Sequence, residues 1–243
     1  MPRTFSLSTR TGSRSSNQDR ACAKHAHGIT LLVLADGMGG HANGDLAAIV
    51  AVDAAWKVLH RQMQHLALKL RPAEAIPAAE RAMRAAARAV CKLGGGYRAP
   101  GSTLIIGILW PTAALFASTG DSPAYVNGRM ITRGHNVGHC LLSQVASLEM
   151  VEYHTVEHEP GDTIVIASDG LDQDLVIAGI RGAEALVEAQ LRRGKENQDN
   201  VTVFTALSRP SSEAPVPYEV TEGMVPMATG ELPGAKAARE NLR

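Results

Sequence analysis

Asp36 and Asp169 each stand where an apolar run gives way to glycine: Ile29–Ala35 leads into Asp36-Gly37, and Thr163–Ala167 leads through Ser168 into Asp169-Gly170. Asp199 sits with Asn200 directly before the apolar stretch Val201–Ala206. One aspartate before a glycine is an ordinary turn. Three together carry more, because the strands of one core bring their ends to a common edge, where several carboxylates repel one another unless a cation neutralises them. Oxygen donors without histidine or cysteine suit a hard ion, Mg²⁺ or Mn²⁺, with waters completing its shell. Glycines at 37, 39 and 40 let the backbone approach such a ligand, so that a peptide carbonyl can join the donors. Arg14, in a loop of Ser, Gly and Asn before Asp19, is suited to grip a phosphate through two parallel hydrogen bonds. Taken alone it reads as an ordinary solvated arginine.

Hydrophobic spacing supplies the elements that must hold these groups. Phe5 and Leu7 alternate as a short strand, followed by a polar loop over 10–20, and the branched run at 29–35 reads as a buried strand. Leu46, Ile49, Val52, Trp56, Leu59, Met63, Leu66 and Leu70 line one face of a long helix with Asn43 as its N-cap. Arg71-Pro72 breaks that helix, and Ile76 to Leu93 repeats the step until Gly94-Gly95-Gly96, giving an antiparallel helix pair. Thr103–Trp110, Ala114–Ser118, Pro123–Val126 and Met130–Thr132 read as a meander with an Asn127-Gly128 turn. Met150–Val156 and Thr163–Ala167 read as a hairpin around Glu159-Pro160-Gly161-Asp162, followed by a helix over Gly182–Arg193 and a last strand at Val201–Ala206. Residues 133–147 show no clear period.

The chain has 243 residues, which favours one large domain, and the expected boundaries are 1–207 for that domain and 208–243 for a flexible tail rich in Pro, Ser, Glu and Gly. Within the tail, Val216–Val225 around Tyr218 is the stretch able to pack back or meet a partner. Lys and Arg number 24, as do Asp and Glu, which excludes the basic balance of a nucleic-acid binder. The longest apolar stretches, Ile29–Ala35 and Leu104–Trp110, are too short to span a bilayer. Met1–Ser6 lacks the apolar core of a secretory signal, so the expected compartment is the cytoplasm. Cys22, Cys91 and Cys140 lie far apart and suggest neither a disulfide framework nor a thiolate metal site.

Six short segments appear in order along residues 12–204: Arg14-x-x-Asn17-Gln18-Asp19, Asp36-Gly37-Met38-Gly39-Gly40-His41, Gly101-Ser102-Thr103, Gly120-Asp121-Ser122, Ser168-Asp169-Gly170 and Asp199-Asn200-Val201-Thr202. In this order and spacing the sequence resembles the metal-dependent PPM or PP2C-type protein phosphatases, in a short bacterial form. The resemblance implies an α+β fold, an αββα four-layer sandwich with two antiparallel sheets flanked by antiparallel helix pairs. It implies two Mn²⁺ or Mg²⁺ ions, with Asp36 bridging them, Gly37 lending its carbonyl, Asp169 and Asp199 each completing a shell, and Asp121 with Asp169 holding a third, weaker ion. Arg14 would bind the phosphoryl group, Asp19 would act through a metal-bound water, and His41 or a metal-bound water is the candidate proton donor to the leaving alkoxide. Phosphoserine and phosphothreonine in proteins would be hydrolysed by direct attack of the water shared between the ions. The enzyme would oppose a bacterial Ser/Thr kinase, acting as a monomer.

Some positions depart from the family pattern. Gln18 stands where many members have Glu, Pro123 replaces an Arg, and Met38 occupies the place where some members carry His. The short interval from Asp121 to Asp169 implies that the flap subdomain over the site is largely deleted. A catalytically weak module that binds phosphoproteins is the alternative, and retention of Asp36, Asp169 and Asp199 argues against it. A two-metal nucleotide phosphodiesterase is disfavoured because aromatics total only 4% and none cluster near the motifs. His135, His139 and Cys140 lack a fourth ligand for zinc. His154 and His158 read as exposed, and the basic residues from Lys57 to Arg98 read as a solvated helix face.

Overall fold

The computed structural model describes residues 4–38, 44–69, 71–94, 100–137, 140–141, 144–145, 148, 150–207 and 219–220. The chain begins with β1 (Thr4–Arg10), β2 (Asp19–Ala26) and β3 (Ile29–Met38). Next come α1 (Gly44–His60), α2 (Met63–Ala67), a 3₁₀ turn at Pro72–Ala75 and α3 (Ile76–Cys91). Strands β4 (Gly101–Ser102), β5 (Leu104–Leu109), β6 (Ala113–Thr119), β7 (Ala124–Val126), β8 (Arg129–Met130), β9 (Asn136–Val137), β10 (Cys140–Leu141), β11 (Glu152–Glu157) and β12 (Thr163–Ala167) follow. The described chain ends with α4 (Gln173–Ile177), α5 (Ala183–Leu191), β13 (Val201–Leu207) and β14 (Glu219–Val220).

One sheet runs β11-β6-β5-β3-β2, with β4 extending β3, and the other runs β14-β1-β13-β12-β7-β8. Period-2 alternation sends successive residues of each strand to opposite faces, and here both faces are buried. Leu31, Val33, Ile106, Ile108 and Leu115 face α1 and α3, where they meet Trp56, Leu59 and Met83. Their neighbours Leu32, Leu34, Ile105 and Phe116 face the other way and meet Phe5, Ile164, Ile166 and Phe204 of the second sheet. Val165, Val201 and Val203 point outward from that sheet onto Leu175, Leu186 and Val187 of α4 and α5. Three apolar interfaces therefore separate four layers, the αββα sandwich expected from the sequence.

Several local expectations are corrected. The long helix over 45–70 is interrupted at Arg61-Gln62, where the Gln62 amide bonds back to the Leu59 carbonyl. That turn redirects α2 so that Leu66 rejoins the core and its carbonyl accepts from the Trp110 indole at 3.0 Å. Residues 150–167 form no hairpin: β11 pairs with β6 in one sheet, while β12 lies between β7 and β13 in the other. Polar, half-buried β11 suits an edge, whereas β12 is apolar on both faces and needs the interior. The meander is broken in the same way between β6 and β7, which belong to different sheets. Strand β2 falls within and beyond the segment read as a loop, because its small residues Ala21, Cys22 and Ala23 give little apolar signal. Helix α4 has no counterpart among the elements expected from the sequence. His158 is buried, with 5% of its surface exposed, against the expectation of an exposed side chain. Its backbone amide bonds to Thr112, which draws it under the β6 hairpin end.

Asn43, Gly95 and Gly96 lie outside the described residues, as do 208–218 and 221–243 of the expected tail. Glu219 and Val220, in the stretch singled out as able to pack back, run parallel to β1 at Ser6 and Leu7.

Phe204 stacks on Phe5 with ring centroids 5.6 Å apart in the space between the sheets. Phe204→Ala is expected to lower the unfolding free energy by about 3–5 kcal/mol, read from urea denaturation. A loss below about 1 kcal/mol would show that the inter-sheet layer can collapse around the deletion.

Candidate functional site

The register of β2 on β3 sets Asp19 directly opposite Asp36. Asp19 is 2% exposed. Its Oδ2 accepts from the Ser168 hydroxyl at 2.7 Å, while Oδ1 is buried without a hydrogen-bond partner. Asp36 lies close enough to the carboxyls of both Asp19 and Asp169 for their charges to raise it. Its backbone is pinned on both sides: the amide donates to Thr103 Oγ1 at 3.0 Å, and the carbonyl accepts from the Thr103 amide and the Ser102 hydroxyl, each at 2.9 Å. Gly37 must be glycine, because a Cβ there would overlap the Gly44 carbonyl at the start of α1.

Asp169 arrives from the second sheet. Ser168 donates its amide to Thr202 at 3.0 Å, and its hydroxyl accepts from the Thr202 amide, also at 3.0 Å, so the end of β12 is locked to β13 just before the acid. Gly170 lies so close to Asn200 that an added Cβ would overlap the Asn200 carbonyl. On the next turn Asp199 accepts from Asn200 N at 2.8 Å and from the Arg14 guanidinium at 2.7 Å. Arg14 itself is half-exposed.

Two asparagines assigned no role from sequence tie the Arg14 loop in place. Asn200 accepts from the Gln18 amide at 2.8 Å and donates to Thr11 and Ser16 carbonyls at 2.8 and 3.0 Å. Asn17 donates to Thr9 Oγ1 at 2.8 Å and accepts from the Asp19 amide at 3.0 Å. The signal that could find them is adjacency, since each stands within two residues of an acid in its motif.

The structure thus brings Arg14, Asp19, Asp36, Gly37, Asp169 and Asp199 to one edge of the sandwich. Asp121 lies close enough for its charge to raise Asp169. His41, with Gly39 and Gly40, lies outside the described residues. The zinc grouping gains no support: His135 Nδ1 accepts from the Gly120 amide at 3.2 Å, so its proton sits on Nε2, which faces Glu152 at 3.7 Å. His139 and the side chain of Cys140 lie outside the described residues.

Burial is the main reason the acids hold protons strongly here. It pushes Asp19 up from 3.8 to about 6, with Asp169 adding repulsion and hydroxyl bonds from Ser168 and Thr202 opposing it. Asp36 lies well above the carboxylate range through burial and the charges of Asp19, Asp169 and Asp199. Burial and Asp121 raise Asp169, and Arg14 offsets part of the effect. Among the described residues no group of three such side chains forms a ready-made cage for an ion. The donor chemistry fits a hard divalent cation nonetheless: oxygen ligands only, mutually repelling when ionised, with a buried orphan oxygen on Asp19.

The family profile described as protein phosphatase 2C matches residues 9–208. No curated protein matches at a significant level. Among solved structures, the chain is similar to PppA, a key regulatory component of T6SS in Pseudomonas aeruginosa, with 24% identity, TM-score 0.68 and coverage of 85% of this chain and 98% of that one. The catalytic domain of the serine threonine protein phosphatase PstP in complex with two manganese ions gives 23% identity, TM-score 0.66 and coverage of 85% and 98%. Stp1, a serine/threonine phosphatase from Staphylococcus aureus, gives 20% identity, TM-score 0.68 and coverage of 85% and 95%. At these identities the likeness to the structures is one of fold.

The raised Asp19 gives stability a definite pH dependence. Well below 3.8 the group is protonated in both folded and unfolded chains and contributes nothing. Between 3.8 and about 6 the unfolded chain releases its proton first, so stability falls as pH rises, and the cost is complete above that window. In EDTA, Asp19→Asn should therefore raise the thermal midpoint more at about pH 7.5 than at about pH 5. An equal effect at both pH values would contradict the raised pKa.

Proposed function

Since this chain belongs to the protein phosphatase 2C family, we propose that it is a metal-dependent phosphatase acting on phosphoserine and phosphothreonine in proteins, and that it opposes a bacterial Ser/Thr kinase. The observation that supports this most directly is the convergence of Asp19, opposite Asp36 in the ladder, and Asp169, near enough for its charge to raise Asp36, beside Asp199 and Arg14. Asp36, the Gly37 carbonyl, Asp169 and Asp199 are the groups that would hold two Mn²⁺ or Mg²⁺ ions, with Asp121 and Asp169 available to a third. When bound, such ions supply an acidified water as nucleophile near neutral pH and positive charge against the phosphoryl oxygens.

The protein's own groups have distinct tasks. Arg14 presents its guanidinium at the rim beside Asp199, so a phosphoryl group gripped there lies against the carboxylates. Asp19, buried and held by Ser168 through Oδ2, keeps Oδ1 available to orient the attacking water or take its proton. Thr103 and Ser102 fix the Asp36 backbone, so the acid is placed without side-chain searching. The leaving alkoxide needs a proton, and His41 is the side chain to test for that step.

The substrates we propose are phosphorylated proteins met by a monomer in the cytoplasm. No helix among the described residues is long and apolar enough to cross a membrane.

Phosphate release from a phosphothreonine peptide is expected with Mn²⁺ or Mg²⁺ and not with EDTA. Asp36→Ala should lower turnover by about a thousandfold or more. Arg14→Ala should lower kcat/KM by roughly tenfold to a hundredfold. A folded protein that binds the peptide but releases no phosphate with any divalent ion would overturn the enzymatic reading in favour of a phosphoprotein-binding module.

A further inference from the structure

Beneath the two acidic turns lies a buried pair of amides that the proposed chemistry does not use. Gln190, on α5, is 0% exposed, and Gln198, immediately before Asp199, is 6% exposed. Gln198 Nε2 donates to the carbonyl of Gly170 at 3.0 Å and to the carbonyl of Asp199 at 3.1 Å. Both acceptors are carbonyls, so the amide orientation is fixed and Oε1 must accept. It does so from Gln190 Nε2 at 2.8 Å, and Gln190 Oε1 in turn accepts from the Asp172 amide at 3.0 Å. The backbone carbonyl of Gln198 also receives the Ser13 amide at 2.9 Å and the Ser13 hydroxyl at 3.0 Å, one residue before Arg14.

The relay therefore reaches each segment that carries a reacting group from the second sheet side. It holds the residue after Asp169, the backbone of Asp199 itself, and the residue before Arg14. Every bond in it is neutral, which ties the acidic turns together without placing a charge beside them.

We infer that Gln190 and Gln198 form a positioning device that sets the separation of Asp169 from Asp199, and so the affinity with which these acids hold a divalent cation. The inference rests on the proposed two-cation site. Gln190 touches none of the acids and acts only through Gln198 and the Asp172 backbone. Its removal should leave the chemistry of each carboxylate intact while loosening their spacing. A scaffold role alone would lower stability and leave the affinity of the folded protein for metal unchanged.

The test is calorimetric titration of the full chain with Mn²⁺, run beside thermal unfolding in EDTA, for Gln190→Met, Gln198→Met and the double variant. Methionine keeps the volume, and removing both side-chain amides together avoids leaving either one buried opposite an apolar group. The expected result is a loss of about tenfold or more in Mn²⁺ affinity for each single variant. The double variant should lose no more than the larger single loss, because one relay is broken in all three. Turnover at saturating Mn²⁺ should stay within about threefold of the parent, which separates a positioning group from a reacting one. Unchanged Mn²⁺ affinity in folded variants, whatever their thermal midpoints, would overturn the inference. Should either single variant fail to fold, the Mn²⁺ affinity of the double variant decides between the same two outcomes. Absence of Mn²⁺ uptake by the parent protein would overturn the two-cation site first and this inference with it, an outcome distinct from a parent that binds and variants that bind equally well.

Discussion

Asp19 and Asp36 face each other across the β2–β3 ladder, where like charges destabilise a sheet, and Asp169 is pressed against the same point from the other sheet. A chain free to relax would separate them. They stay together because each acid is attached to backbone that cannot move independently. β3 lies between β2 and β5 and β12 between β13 and β7, both buried on both faces, while edge strand β2 is paired to β3 along its whole length. Displacing any one acid by a few ångströms means unpacking a strand whose side chains fill two apolar layers. The hydrophobic layers thus hold a cluster that its own electrostatics would disperse, and the stored repulsion is what a divalent cation would relieve.

The same constraint explains why the acids sit at strand ends. A carboxylate in the middle of β3 or β12 would face Leu, Ile and Val on either side, without hydrogen-bond donors and at a large desolvation cost. At the ends, backbone amides and hydroxyls are available. Ser168 supplies Asp19, Asn200 supplies Asp199, and Thr103 anchors Asp36. Glycine after Asp36 lets the start of α1 and the Gln18 backbone close in, and glycine after Asp169 does the same for the Asn200 backbone, so each acid sits in a tightly packed turn.

What can be read from the sequence follows the strength of each physical signal. The apolar runs at 29–35, 104–110, 163–167 and 201–206 declare strands buried on both faces, and the 3–4 spacing from Leu46 and from Ile76 declares helices packed on one face. The acids are legible because they punctuate those runs. Strand β2 escapes detection because alanine and cysteine bury little area, and its position is set by pairing with β3, a property of the fold. The partners of β11 and β12 are misread because a turn sequence such as Glu159-Pro160-Gly161-Asp162 reports a reversal of direction and not which sheet receives the next strand. Gln190 and Gln198 give no interpretable signal, since a buried amide is recognisable only through its partners, whereas Asn17 and Asn200 are marked only by standing beside an acid in their motifs.

Those amides bear on a general requirement of the site. Four acids and one arginine at an edge need rigid placement, and charged side chains would be the strongest available ties. A lysine or arginine inserted among the turns, however, would neutralise the carboxylates that give the site its affinity for a cation, and another acid would add to their repulsion. Neutral donors and acceptors avoid both outcomes. Thr9 with Thr202, Asn17 with Thr9, Ser168 with Asp19, and Gln190 with Gln198 join β1, β2, β12, α5 and β13 through bonds that add no countercharge. Apart from the Arg14–Asp199 pair at the rim, the charged ties lie further out, as in the pairing of Arg193 and Lys195 with Asp172. The site's electrostatic potential is left to the acids and Arg14, while its geometry is left to hydroxyls and amides, and neither task compromises the other.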